Sequence, residues 1–262
     1  METEAAPRWP AWYAITGFMV AIVATFVVVG IAAAATGASD DSPSFTTVAT
    51  LIQELIFAGT AVLFASFVAK PQPWHFGLRK TRFWPAVGWA ALALFSFYVF
   101  TIVYSLAVHP HSEQNVTESL GADQGTFGLI AAGVMVIAVA PVAEEFFFRG
   151  FFYRALRGRF GVITAALMDG ALFGLIHYDP SASSPLAVIP PLAVLGFVFC
   201  LVYEQTGSIF PTIALHALNN TIAYGAQADG WAVSAVVGPL MLLACILAPR
   251  LIRPLRTQPA LR

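Results

Sequence analysis

Residues 144–149 read Glu144, Glu145, Phe146, Phe147, Phe148 and Arg149, and they end a run, Phe127 to Ala143, with no ionisable group of its own. A charge at membrane depth costs at least about 2.5 to 3.5 kcal/mol on insertion scales, so two carboxylates and an arginine here need partners or a water-filled cavity. Two later segments offer them: Phe173 to His177, and His216 to Asn220. All three segments contain an i, i+4 pair, which on a helix puts both side chains on one face about a turn apart. The spacing therefore predicts Glu145 paired with Arg149, Phe173 packed beneath His177, and His216 and Asn220 pointing into one cavity. Glu144, about 100° round from Glu145, is left to face that cavity.

A carboxylate, two imidazoles and a carboxamide converging inside a helical bundle can hydrolyse an acyl bond. Burial in a largely apolar pocket destabilises the charged form of a glutamate and suits Glu144 to take a proton from water as general base. His177 would orient or share that water. His216 and Asn220 carry donors for the oxygen of a tetrahedral intermediate, where one donor is worth about 2.7 to 4 kcal/mol of barrier. Glu145 and Arg149 would be scaffolding behind them.

The elements that must position these groups follow from composition. The 262 residues are 58% hydrophobic and only 10% charged, with mean hydropathy +0.77, which excludes an ordinary soluble domain. The chain reads as all-α, a polytopic membrane bundle of about eight helices. Apolar stretches long enough to cross a hydrocarbon core of about 20 helical residues run over 12–36, 45–69, 84–108, 126–148, 162–178, 186–203, 209–226 and 231–249, the fifth and sixth being the weakest. Three parts are expected: spans one to three over 1–124, a catalytic core over 125–225, and a last span with a basic tail over 226–262.

Positive charge sets the topology, because cytoplasmic loops beside spans are enriched in Lys and Arg. All 13 such residues fall on one side: Arg8; Lys70, Arg79, Lys80 and Arg82; Arg149, Arg154, Arg157 and Arg159; Arg250, Arg253, Arg256 and Arg262. The opposite loops hold Asp40, Asp41, Glu113, Glu118, Asp123, Asp179 and Asp229. Both termini are expected in the cytoplasm of what reads as a bacterial plasma-membrane protein. The first run, too long for a signal peptide's apolar region and preceded by Trp9, Trp12 and Tyr13 as an interfacial belt, reads as a retained span. Lys70 to Arg82, with Trp74 and Phe76, reads as an amphipathic stretch along the interface, and His75, His109 and His111 as solvated loop residues. Cys200 and Cys245 read as small buried apolar residues.

Hairpin length decides whether Glu144 and His177 can meet. Gly158 and Gly161 mark a turn; Glu144 to Arg157 spans roughly 20 Å of helix and Gly161 to His177 roughly 24 Å, which returns the two to a similar level. This requires the fourth helix to continue through Tyr153 and Arg154, beyond the hydropathy boundary.

EExxxR, FxxxH and HxxxN, in that order across late spans, resemble the CAAX protease and bacteriocin-processing (CPBP, or Abi) family of intramembrane endopeptidases. The resemblance covers roughly residues 125–225. It implies a peptide-bond hydrolase similar to type II CAAX prenyl proteases, with Glu144 as the water-activating glutamate, His177 and His216 as essential histidines, Asn220 as oxyanion partner, and Glu145 and Arg149 completing the first motif. Its substrate would be a membrane-associated protein or peptide, lipidated in eukaryotic members, met in the lipid bilayer and with no nucleic acid involved; no cofactor is implied. Asn219 sets a second amide beside Asn220.

Three other readings compete. A zinc ion held by Glu144, His177 and His216 would make the same residues a metalloprotease, although no HExxH helix is present. Intramembrane polar groups can also be helix-packing glue, at ~0.6 kcal/mol per hydrogen bond. Finally, Glu54 and Asp169 keep open a proton-coupled transporter or a non-catalytic immunity protein. Asp169, two turns before His177, would wet the same cavity, while Glu54 with Gln53 reads as an interhelical contact.

Overall fold

The computed structural model describes residues 7–37, 42–109, 116–178 and 184–252. The readings made for Asp40, Asp41, Glu113, Asp179, His111, Arg253, Arg256 and Arg262 lie outside them. Within the described residues the chain is helical: α1 Trp12–Thr36, α2 Pro43–Ser66, α3 Phe83–Val108, α4 Gly125–Arg157, α5 Val162–Leu175, α6 Ile189–Thr206, α7 Phe210–Gln227 and α8 Trp231–Leu251. Each apolar stretch of the sequence is thus a helix. Six are long and apolar enough to span a membrane, whereas α5 has only 14 residues and α7 is too polar along its length. The shortfall from eight falls on α5 and α7, which carry His216, Asn220 and Asp169. Large apolar side chains such as Phe26, Trp84, Phe95, Leu106 and Phe127 stay exposed on the outside of this multi-pass bundle, as lipid contact demands.

The fourth helix is the axis of the fold. It runs on through Tyr153 and Arg154 to Arg157, as the hairpin requires, and two wide π-helical turns interrupt it at Met135–Val139 and Phe148–Phe152. The first has a local cause. Pro141 lacks an N–H and its ring presses on the carbonyl four residues back, so the ladder widens and Ala140 N–H reaches Met135 O. At the far end Arg157 and Tyr153 both bond Glu204 of α6, at 2.9 Å each, fixing α4 against α6.

Two expectations are corrected. His75 is buried: within the segment Lys70 to Arg82, Pro73–Phe76 forms a 3-10 turn docked into the bundle. Phe76 stacks on Phe146 at 4.6 Å and packs on Trp9, Arg154 donates to His75 O, and Ser208 Oγ and Ile209 N–H close on Arg79 O and Gly77 O. Apolar and hydrogen-bonding partners on both sides outweigh the pull of solvent on one histidine. Burial in this docked segment lowers the Arg79 pKa from its ordinary value. Trp9 is likewise in the core, against Phe151, rather than in an aromatic belt, while Trp12 and His109 are exposed.

Candidate active site

Arg149 anchors the polar centre. It is fully buried in the second π turn of α4, and its Nη1 donates to Glu145 Oε1 at 2.8 Å, the i, i+4 pair expected from the motif. Its Nη2 donates to Gly196 O of α6 at 2.9 Å and faces Asp169 Oδ1 of α5 at 3.6 Å. Phe173, Phe199 and Phe148 surround the guanidinium, 4.6, 5.0 and 5.7 Å from ring centre to Cζ. One cation therefore ties three helices and balances two buried carboxylates.

Asp169 corrects an expectation. It is buried against Arg149 and accepts a hydrogen bond from Cys200 Sγ at 3.2 Å, so it belongs to the anchor and does not wet a cavity shared with His177. Cys200 is buried as expected, but as a donor and not as a purely apolar residue. The close approach that makes this possible rests on glycine: a Cβ on Gly170 would stand 2.5 Å from Ala193 O, and one on Gly196 2.9 Å from Gly170 Cα. Asp169, Cys200 and Gly196 were the residues whose part in the site sequence reasoning missed. The signal for them was the pairing of small residues across α5 and α6.

The second carboxylate of the motif connects to α7. His216 Nδ1 lies 3.1 Å from Glu145 Oε1, the oxygen that already accepts from Arg149. An oxygen so engaged is an acceptor, so Nδ1 carries the hydrogen and Nε2 turns toward Glu144, 3.9 Å from its Oε2. Glu144 differs from its neighbours in access. Its side chain keeps 10% of its surface exposed, whereas those of Glu145, Arg149 and Asp169 keep none.

His177 follows the end of α5. Its Nδ1 is 2.7 Å from Phe173 O, so it too donates from Nδ1, and its ring lies 5.0 Å from that of Phe173. Phe173 in turn meets the His216 ring at 5.8 Å, edge to face, so it packs on both histidines. The structure thus brings Glu144, Glu145, Arg149, Phe173 and His216 together and sets His177 against Phe173.

Asn220 is one turn along α7 from His216, and its amide serves the backbone. Nδ2 donates to Val136 O at 2.9 Å. In the first π turn, the bond after Ala140 N–H to Met135 O would run from residue 141 to Val136 O, and residue 141 is proline. Asn220 replaces the missing donor. Its own oxygen accepts from Asn219 Nδ2 at 3.3 Å. The second hydrogen on Nδ2 is the one available for other work.

Among the described residues no group of three His, Cys, Asp or Glu side chains is placed to hold a metal ion. Glu144 and His216 face each other, and Phe173 packs against both histidine rings.

Comparison with known proteins gives three findings. Over 144 residues the chain is 29% identical to the uncharacterized protein YyaK of Bacillus subtilis (strain 168), an alignment covering 52% of this chain. The chain spans about half that relative's length, 46%. No solved structure matches. Residues 126–222, which hold all three motifs and every side chain of the polar centre, match the type II CAAX prenyl endopeptidase Rce1-like family.

Proposed function

We propose that this chain is an intramembrane endopeptidase that hydrolyses a peptide bond of a membrane-associated protein or peptide with water activated by Glu144. The observation that carries the reading is the 3.9 Å between Glu144 Oε2 and His216 Nε2. That separation is too long for a direct hydrogen bond and admits one water bound to both.

The roles follow from the fixed hydrogen atoms. Glu144 takes a proton from the water as its oxygen attacks the scissile carbonyl carbon, and returns it to the leaving amine when the C–N bond breaks. His177 donates from Nδ1 to Phe173 O, so in the neutral ring Nε2 is an acceptor suited to orienting that water. His216, held at Nδ1 by Glu145, presents Nε2 to the reacting atoms and donates to the oxyanion while the ring is protonated. The spare Asn220 N–H is a second donor. Arg149 fixes Glu145 and thereby His216. No step needs a metal ion, and the zinc reading with Glu144, His177 and His216 as ligands is tested by chelation.

The site opens toward the cytoplasmic half of a bacterial plasma membrane, with both termini in the cytoplasm and all charged clusters of Lys and Arg on that face. The test is cleavage by the purified protein in liposomes of a quenched CAAX-type peptide and of a membrane-peptide library, products being identified by mass spectrometry. The reading requires discrete endoproteolytic products; a folded protein that cuts neither overturns it in favour of binding or transport.

A further inference from the structure

Helix α2 lies outside the segment that matches the protease family, yet it brings a carboxylate to the site. Glu54 is 2% exposed, and its Oε2 has no hydrogen-bond partner among the described residues; the same is true of Glu144 Oε2. The two helices run parallel. Thr47 Oγ1 donates to Leu120 O in the segment ahead of α4, Phe57 stacks on Phe147 with centroids 4.8 Å apart, and Phe64 meets Phe151 at 6.1 Å. Three residues before Phe57 is Glu54, and three before Phe147 is Glu144, so the register that stacks the rings sets the two carboxyl groups level. The two carboxyl groups are close enough to interact electrostatically, with Gln53 as a further polar neighbour.

Two ionised carboxylates side by side in an apolar bundle repel strongly unless a proton is shared or a cation intervenes. Arg149 is committed to Glu145, Asp169 and Gly196. His216 faces Glu144 from the opposite helix, α7, at 3.9 Å and is itself held by Glu145.

We propose that Glu54 is a positioning residue for the reaction: protonated, it donates from its carboxyl group to Glu144 and holds the base in the orientation that meets the water. The inference rests on the protease reading above. Glu54 keeps its proton throughout. The proton exchanged in hydrolysis moves from water to Glu144 and on to the leaving amine, so water and peptide give acid and amine with nothing left over.

The experiment compares wild type, Glu54→Gln, Glu54→Leu and Glu144→Ala for peptide cleavage in liposomes, with thermal unfolding of each. A glutamine keeps an N–H donor, so Glu54→Gln should retain kcat within a few-fold. Glu54→Leu fills the same space without a donor, and kcat should fall about 10- to 100-fold at unchanged KM, the value of one hydrogen bond to a charged group. Wild-type kcat in a folded Glu54→Leu overturns the inference while the protease reading stands. The infrared spectrum of the wild type supplies a readout independent of activity and of the leucine variant's folding. The protonated carboxyl band should be present and should vanish in Glu54→Gln. If no such band appears, the inference is overturned. If the band appears but the wild type cleaves nothing, the paired proton stands and the catalytic role falls together with the protease reading.

Discussion

Glu145 Oε1 accepts two hydrogen bonds from two helices, from Arg149 Nη1 at 2.8 Å and from His216 Nδ1 at 3.1 Å. The tautomer of His216 is therefore set by a residue that never meets the substrate. Glu145→Gln replaces a charged acceptor with an amide that can present either an oxygen or an NH₂ to the ring. Activity should fall about 10²-fold or more in kcat with KM little changed, because the orientation of His216 is lost and the surface is not. Steady-state kinetics of the folded variant check it; a change in KM alone would contradict the role.

Arg149 balances two carboxylates that have no access to solvent. Removing it strands both, so Arg149→Met should destabilise the protein by about 3 to 5 kcal/mol. Asp169→Asn should cost less, since Glu145 still pairs with the guanidinium and the Cys200 thiol still has an oxygen to donate to. Denaturant unfolding in detergent, with the double variant closing a thermodynamic cycle, should show strong coupling between the two positions.

Asn220 has a structural duty that its motif does not reveal. In Asn220→Ala the Val136 carbonyl is left without a partner, at a cost of about 1 to 3 kcal/mol. Pro141→Ala restores a backbone N–H in the π turn, and in that background the stability cost of Asn220→Ala should shrink toward zero. If Asn220 also donates to the oxyanion, its loss will still lower kcat by roughly 10²- to 10³-fold in the Pro141→Ala background. Equal stability losses in both backgrounds would contradict the account of Val136.

The six long helices were legible because hydrophobic runs of spanning length leave few alternatives in lipid. The Glu145 to Arg149 pair and the packing of Phe173 against His177 were legible because i, i+4 spacing brings side chains together along one helix. What was not legible depends on distances between helices. Asp169 reads as a lone acid until the Gly170 and Gly196 contact draws α5 onto α6 and Arg149 reaches it. Asn220 shows its bond to Val136 only when the widened turn and the missing N–H of Pro141 are seen together. His75 reads as solvated because nothing local reveals that Phe76 docks between Phe146 and Trp9. Glu54 lies far from the motifs in sequence, and only the parallel register of Phe57 on Phe147 brings it level with Glu144.

Peptide cleavage by wild type, Glu144→Ala and chelator-treated wild type tests the central claim most directly. A carboxylate that activates water without a metal predicts hydrolysis by the wild type, survival of that activity under a strong chelator, and its disappearance in Glu144→Ala while the fold is kept. Full activity in Glu144→Ala, or loss on chelation that added zinc restores, would contradict it.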